Sequence, residues 1–126
     1  MTIEFFRDSN PGTRTFPRSI ATKAGGFVFV SGQVARDESG CVVEGGIEVH
    51  TRQTLKNVAH ALELAGCALE DIVKTTVWLE DTRDFNEFNR VYNEFFPEHK
   101  PARSTLQGTN MVGTKIEIEA IAYKSG

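Results

Sequence analysis

The run Phe27-Val28-Phe29-Val30 puts four apolar side chains at consecutive positions, directly after Ala24-Gly25-Gly26. Side chains on a strand alternate between its two faces, so a strand with this pattern needs cover on both. The glycines supply the positive φ of a tight hairpin, and Ser19 to Lys23 suit the partner strand. A sheet is therefore expected with helices on one face and a second layer or second subunit on the other. A chain of 126 residues can bury one such core, which predicts a single domain over 1–126.

Past the turn Asp37-Glu38-Ser39-Gly40 and the Gly45-Gly46 loop, Leu55, Val58, Ala59, Leu62 and Ala65 recur at helical spacing, and Gly66 closes that helix. Ile72 to Leu79 is β-branched and aromatic, and reads as a strand. A second helix is expected to start near Asp84, with Asp84 and Glu87 as a capping-box-like pair, and to stop at Pro97. Phe85, Phe88, Tyr92, Phe95 and Phe96 are assigned to its inner face. Ala102–Gln107 and Lys115–Lys124 read as the last strands, and the first twenty residues, broken by Asn10-Pro11-Gly12 and Pro17, as a loop-rich entry. The order β-β-α-β-α-β-β predicts an α+β fold: a mostly antiparallel sheet with both helices on one face.

Several function classes are disfavoured. Fourteen Lys and Arg against seventeen Asp and Glu give a net charge of −3, which leaves no positive excess to gather nucleic-acid phosphates. No apolar run approaches the roughly 18 residues of a membrane helix, and Met1 to Arg7 lacks the order of a signal peptide. Cys41 and Cys67 are too few for a disulfide framework. A reduced, cytoplasmic protein is expected, with no membrane and no nucleic-acid partner. Phosphate-binding glycine loops, H-E-x-x-H, G-x-S-x-G and G-x-G-x-x-G are all missing from the sequence, so no metal and no nucleotide cofactor is expected. His50, His60 and His99 are read as surface and loop residues.

Polar residues at apolar positions carry more information, because burying them unpaired costs a few kcal/mol. Asn89 falls on the inward stripe of the second helix, where its amide can brace a loop or meet a ligand. In Ile116-Glu117-Ile118-Glu119-Ala120-Ile121, strict alternation sends Glu117 and Glu119 to the face opposite Ile116 and Ile118, toward solvent or a partner subunit. Arg103 begins a strand and can offer a planar fork of donors to a carboxylate, or half of a surface ion pair.

The blocks Phe29-Val30-Ser31-Gly32-Gln33, Gln53-Thr54-Leu55-Lys56-Asn57-Val58, Val73-Lys74-Thr75-Thr76-Val77, Asp84-Phe85-x-x-Phe88-Asn89-x-x-Tyr92, Pro101-Ala102-Arg103-Ser104 and Ile116 to Ala122 resemble the Rid family of enamine/imine deaminases. That family is also called the endoribonuclease L-PSP or translation-inhibitor family. The blocks run in the family's order from about residue 17 to residue 123. The resemblance implies a chorismate-mutase-like subunit, a homotrimer with three clefts between subunits, and cofactor-free hydrolysis of amino-acid-derived enamines and imines such as 2-aminoacrylate. By the same resemblance Arg103 grips the substrate carboxylate and Glu117 positions the water. Ser31, Gly32 and Asn89 line the cleft, and Thr105 stands where well-known members carry a cysteine. The chain departs from the family at Arg18, where a tyrosine is usual after the proline, and in a shorter loop before Pro101. An Arg18 that reached the cleft would suit a dicarboxylate such as 2-aminomuconate; the alternative is a surface arginine.

The chemistry agrees with these residue types. Imine hydrolysis needs an oriented carboxylate anchor, a water near the imine carbon and a group that moves protons. An arginine and a partly desolvated carboxylate supply all three. A non-catalytic, chaperone-like trimer binding small carboxylates, and an RNA-cleaving translation inhibitor, stay open as alternatives.

Overall fold

A computed structural model describes residues 2–125. Six strands, β1 (Ile3–Phe6), β2 (Ala21–Ala24), β3 (Phe27–Gln33), β4 (Ile72–Leu79), β5 (Ala102–Gln107) and β6 (Ile116–Tyr123), form one sheet in the order β1-β2-β3-β6-β4-β5. Every neighbouring pair is antiparallel except β4 and β5. The two helices are α1 (Ile47–Leu64) and α2 (Phe85–Phe95). The expected α+β order is present, with one addition: Ile3–Phe6, assigned to the entry loop, pairs with Ala21–Ala24 as an edge strand. The strand has only four residues, too few to show a period, and the pairing comes from the neighbouring hairpin.

Both helices cover the same face. Leu55, Val58 and Leu62 of α1 and Phe88 of α2 are fully buried with Val28, Val77, Ile116 and Ile118 of the sheet in one apolar cluster. Removing a ring such as that of Phe88 would cost about 3–5 kcal/mol, because the cavity left behind cannot fully close. Across the helix surface Arg52 holds Glu94 through two bonds of 2.8 and 3.0 Å, and Arg90 reaches Glu48 of α1 at 3.1 Å. These groups are exposed, so they orient the helices more than they stabilise them. Among the described residues nothing covers the opposite sheet face: Phe27 and Phe29 are 45% and 44% exposed, beside exposed Phe5 and Tyr123.

Three local expectations need correction. Asp84 makes no side-chain cap at the start of α2; the capping carboxylate is Asp81, which accepts from the Arg83 N–H of a preceding 3-10 turn at Thr82–Asp84. Phe85 does not join the inner face but is 42% exposed at the first position of α2, directly after that turn. His50 is not a surface residue. It is buried, with Nε2 donating to the Val43 carbonyl (3.0 Å) and Nδ1 accepting from the Lys115 N–H (3.3 Å).

His50 thus ties the loop before α1 to the residue that leads into β6, and it does so only as the neutral ring. Burial holds its pKa below the ordinary value; the charge of Lys115 acts in the same direction, while the Val43 bond and Glu80 oppose it. A histidine whose folded pKa is depressed contributes stability that is complete above the unfolded value of about 6.5 and is lost as pH falls. Denaturant titrations at pH 7.5 and 5.5 are expected to show a loss of stability in the wild-type chain and a smaller loss in His50→Gln, which keeps a donor for Val43 but does not titrate.

Candidate active site

The sheet divides the predicted site residues into two groups. Arg103 of β5 is paired in register with Thr75 of β4, whose side chain is buried and whose Oγ1 lies 2.7 Å from the Tyr92 hydroxyl of α2. Arg103 is therefore on the helix face. Its guanidinium carbon sits 4.9, 5.1 and 5.9 Å from the ring centroids of Tyr92, Phe88 and Phe85, within cation–π range. The ion pairs among the described residues are made by Arg18, Arg52, Arg83 and Arg90, and Arg103 enters none of them. A half-buried guanidinium held by aromatic faces and left without a carboxylate is suited to an anionic ligand.

Thr105 follows two residues along the same strand and lines a small recess of about 250 Å³ with Leu79, Phe85 and Leu106. Asn89 is half-buried on α2, one turn beyond Phe85. The first group is thus Arg103, Thr105 and Asn89 around Phe85. The aromatic cradle of Arg103 was not legible as such, because Phe88 and Tyr92 at helical spacing read equally well as core.

Glu117 lies on the other face. In β6, Ile116, Ile118, Ala120 and Ala122 are buried under the helices, while Glu117 pairs in register with Trp78 of β4 on the uncovered side. Burial, and secondarily the charge of Glu119, raise the Glu117 carboxyl above the usual glutamate value. Gly32 of β3 stands next to it. Ser31 is a structural tether, its Oγ donating to the Ser19 carbonyl at 2.6 Å.

Arg103 and Glu117 cannot act on one small substrate within a single chain. One strand, β4, separates β5 from β6, which puts the two residues about 10 Å apart across the sheet and roughly 10 Å apart along it. They also face opposite ways. Each chain presents the two groups on opposite faces of its sheet.

Arg18 belongs to neither half as a free cation. Its Nη1 lies 3.1 Å from Oδ2 of Asp8, a carboxylate that also accepts from Thr13 Oγ1 and the Asn10 N–H. These donors outweigh burial and hold Asp8 below the usual aspartate value. The pair borders a groove of about 790 Å³ that runs past Gly32 to Arg36, Lys56 and Asp37. Its cations Arg18, Arg36 and Lys56 are matched by Asp8, Asp37 and Glu38, so the lining selects no ligand charge.

The chain matches the family described as Endoribonuclease L-PSP over residues 13–124. It is 47% identical to a RutC family protein of Pyrococcus horikoshii over 86% of this chain and 87% of that protein. A human protein named 2-iminobutanoate/2-iminopropanoate deaminase is 41% identical over 86% of this chain and 80% of its own length. Among solved structures, yeast Mmf1 superimposes with a TM-score of 0.92 at 34% identity, covering 98% of this chain and all 100% of its own. Escherichia coli TdcF with bound serine gives 0.87 at 33%, covering 97% and 100%. The chain therefore belongs to the Endoribonuclease L-PSP family, the Rid family that its sequence blocks resemble.

A raised Glu117 and its dependence on Glu119 are open to direct measurement. A carboxyl-carbon NMR titration is expected to find Glu117 above an ordinary glutamate, and Glu119→Gln is expected to bring it down. A Glu117 that titrates with the exposed glutamates, unmoved by Glu119→Gln, contradicts the electrostatic account.

Proposed function

We propose that the chain is a cofactor-independent hydrolase of small enamines and imines derived from amino acids, releasing a keto acid and ammonia. We further propose that it works as a homotrimer whose clefts each combine Arg103 of one copy with Glu117 of the next. The observation that carries the reading is the division of the site: an unpaired, aromatic-cradled guanidinium on one face and a desolvated carboxylate on the other. Exposed Phe27, Phe29 and Tyr123 on the Glu117 face supply an apolar surface for the neighbouring copy. The deaminase name of the human relative and the serine bound to TdcF agree with a small substrate bearing one carboxylate.

In this reading an enamine such as 2-aminoacrylate first shifts a proton from nitrogen to its terminal carbon and becomes the imine. Arg103 takes the substrate carboxylate through two parallel N–H bonds and fixes the plane of the C=N bond. Glu117 removes a proton from water as the oxygen attacks the imine carbon, and the imine nitrogen takes a proton from solvent. The carbinolamine then collapses: Glu117 returns its proton to nitrogen, the hydroxyl proton passes to solvent as C=O forms, the C–N bond breaks and ammonia departs. A carboxylate raised toward neutrality is a better proton carrier than an ordinary glutamate.

Arg18 argues against a dicarboxylate as the preferred substrate, because its charge is already met by Asp8. A net charge of −3 offers no phosphate track for RNA.

Freshly generated 2-aminoacrylate is the decisive substrate, with keto acid and ammonia as readouts. Arg103→Lys keeps the charge and loses the fork, so the loss is expected mainly in kcat/KM. Glu117→Gln is expected to bind a keto acid normally while turnover falls by about 10²–10⁴-fold. Light scattering at micromolar concentration is expected to give three times the chain mass, and a monomer mass would remove the shared-cleft reading.

A further inference from the structure

The register of β3 against β6 slips once. Val30 faces Ala120 and Gln33 faces Ile118, so three steps on β3 match two on β6 and one extra residue sits between them. Bulges of this kind re-aim whatever is beside them. Here the extra residue brings Gly32 against the end of Glu117: a Cβ on Gly32 would overlap Glu117 Oε2 and lie 3.0 Å from Cδ and 3.3 Å from Cγ.

Backbone conformation does not account for a glycine at this position. Gly25, Gly40, Gly45, Gly66 and Gly113 have positive φ, and Gly32 does not, so its backbone accepts an ordinary residue. What an ordinary residue would lack is space. We propose that Gly32 is a positioning residue for Glu117: the volume its missing side chain leaves is the seat of the Glu117 carboxylate. Trp78, paired with Glu117 from β4, is the opposite neighbour, so the carboxylate is set between β3 and β4 with Glu119 as the charged group next on its own strand.

The consequence is specific. Glu117 is the flexible partner in this contact, so an alanine at 32 is accommodated by retreat of the carboxylate of roughly an ångström rather than by movement of the sheet. A displacement of that size at a reacting group costs on the order of 10² in rate. The effect on turnover rests on the deaminase reading above; the seat itself does not.

The test is Gly32→Ala, read three ways. Thermal unfolding is expected within a few degrees of wild type. The carboxyl titration of Glu117 is expected to move toward that of an ordinary glutamate, and hydrolysis of 2-aminoacrylate to fall about 10²-fold. In the double variant Gly32→Ala/Glu117→Asp, the shorter side chain clears the new methyl, so its turnover is expected to exceed that of Gly32→Ala alone. A Glu117 titration unchanged by Gly32→Ala overturns the proposal, as does a double variant in which the two losses simply multiply. A wild-type chain that hydrolyses no imine removes the deaminase reading instead, and the titration still decides whether Gly32 seats Glu117.

Discussion

Strand β6 is the member on which the rest of the molecule depends. It lies between β3 and β4 in the middle of the sheet, and its alternation is strict: Ile116, Ile118, Ala120 and Ala122 are buried to 2% exposure or less under both helices. A slip of one residue would turn these four side chains outward and drive Glu117 and Glu119 into the core, at a cost of several kcal/mol for each unpaired charge. The apolar half of the strand therefore sets where the carboxylates point. Burial of four small and branched side chains on one face is what holds a glutamate at a defined height on the other.

The environments of Arg103 and Glu117 differ in kind. Arg103 is supported by rings, which offer the guanidinium attraction without neutralising it or occupying its donors. Tyr92 is itself fixed through its hydroxyl to Thr75, so a hydrogen bond deep in the core determines the orientation of a ring that the arginine uses. Glu117 is half-buried between Gly32 and the register position of Trp78, and Glu119 adds a like charge. One group keeps its donors available, the other is pushed toward protonation.

How far these features could be read from the residues depended on whether their cause was local. The alternation of Ile116 to Ala122, the stripe Leu55, Val58 and Leu62, and the glycine turn before Phe27 are each local, and each stands in the structure as expected. Strand β1 depends on a partner many residues away, so its four residues carry no strand signal of their own. The burial of His50 is not local either, because its two partners, Val43 and Lys115, come from different parts of the chain. Arg18 could not be separated from a ligand anchor until Asp8, ten residues earlier, was found beside it. Resemblance brought Arg103 and Glu117 together as one site. That they occupy opposite faces follows from the register of β4 with β5 and β6, which pairs Arg103 with Thr75 and Glu117 with Trp78 and which no pattern within either strand contains.

That opposition bears on inheritance. In the proposed ring, a chain without Arg103 is damaged in one half-site and a chain without Glu117 in the other. Mixed rings of the two contain clefts in which an intact arginine from one allele meets an intact glutamate from the other, alongside clefts that lack both. Two defective genes in one cell would then complement each other, whereas two lesions on the same face of the sheet would not.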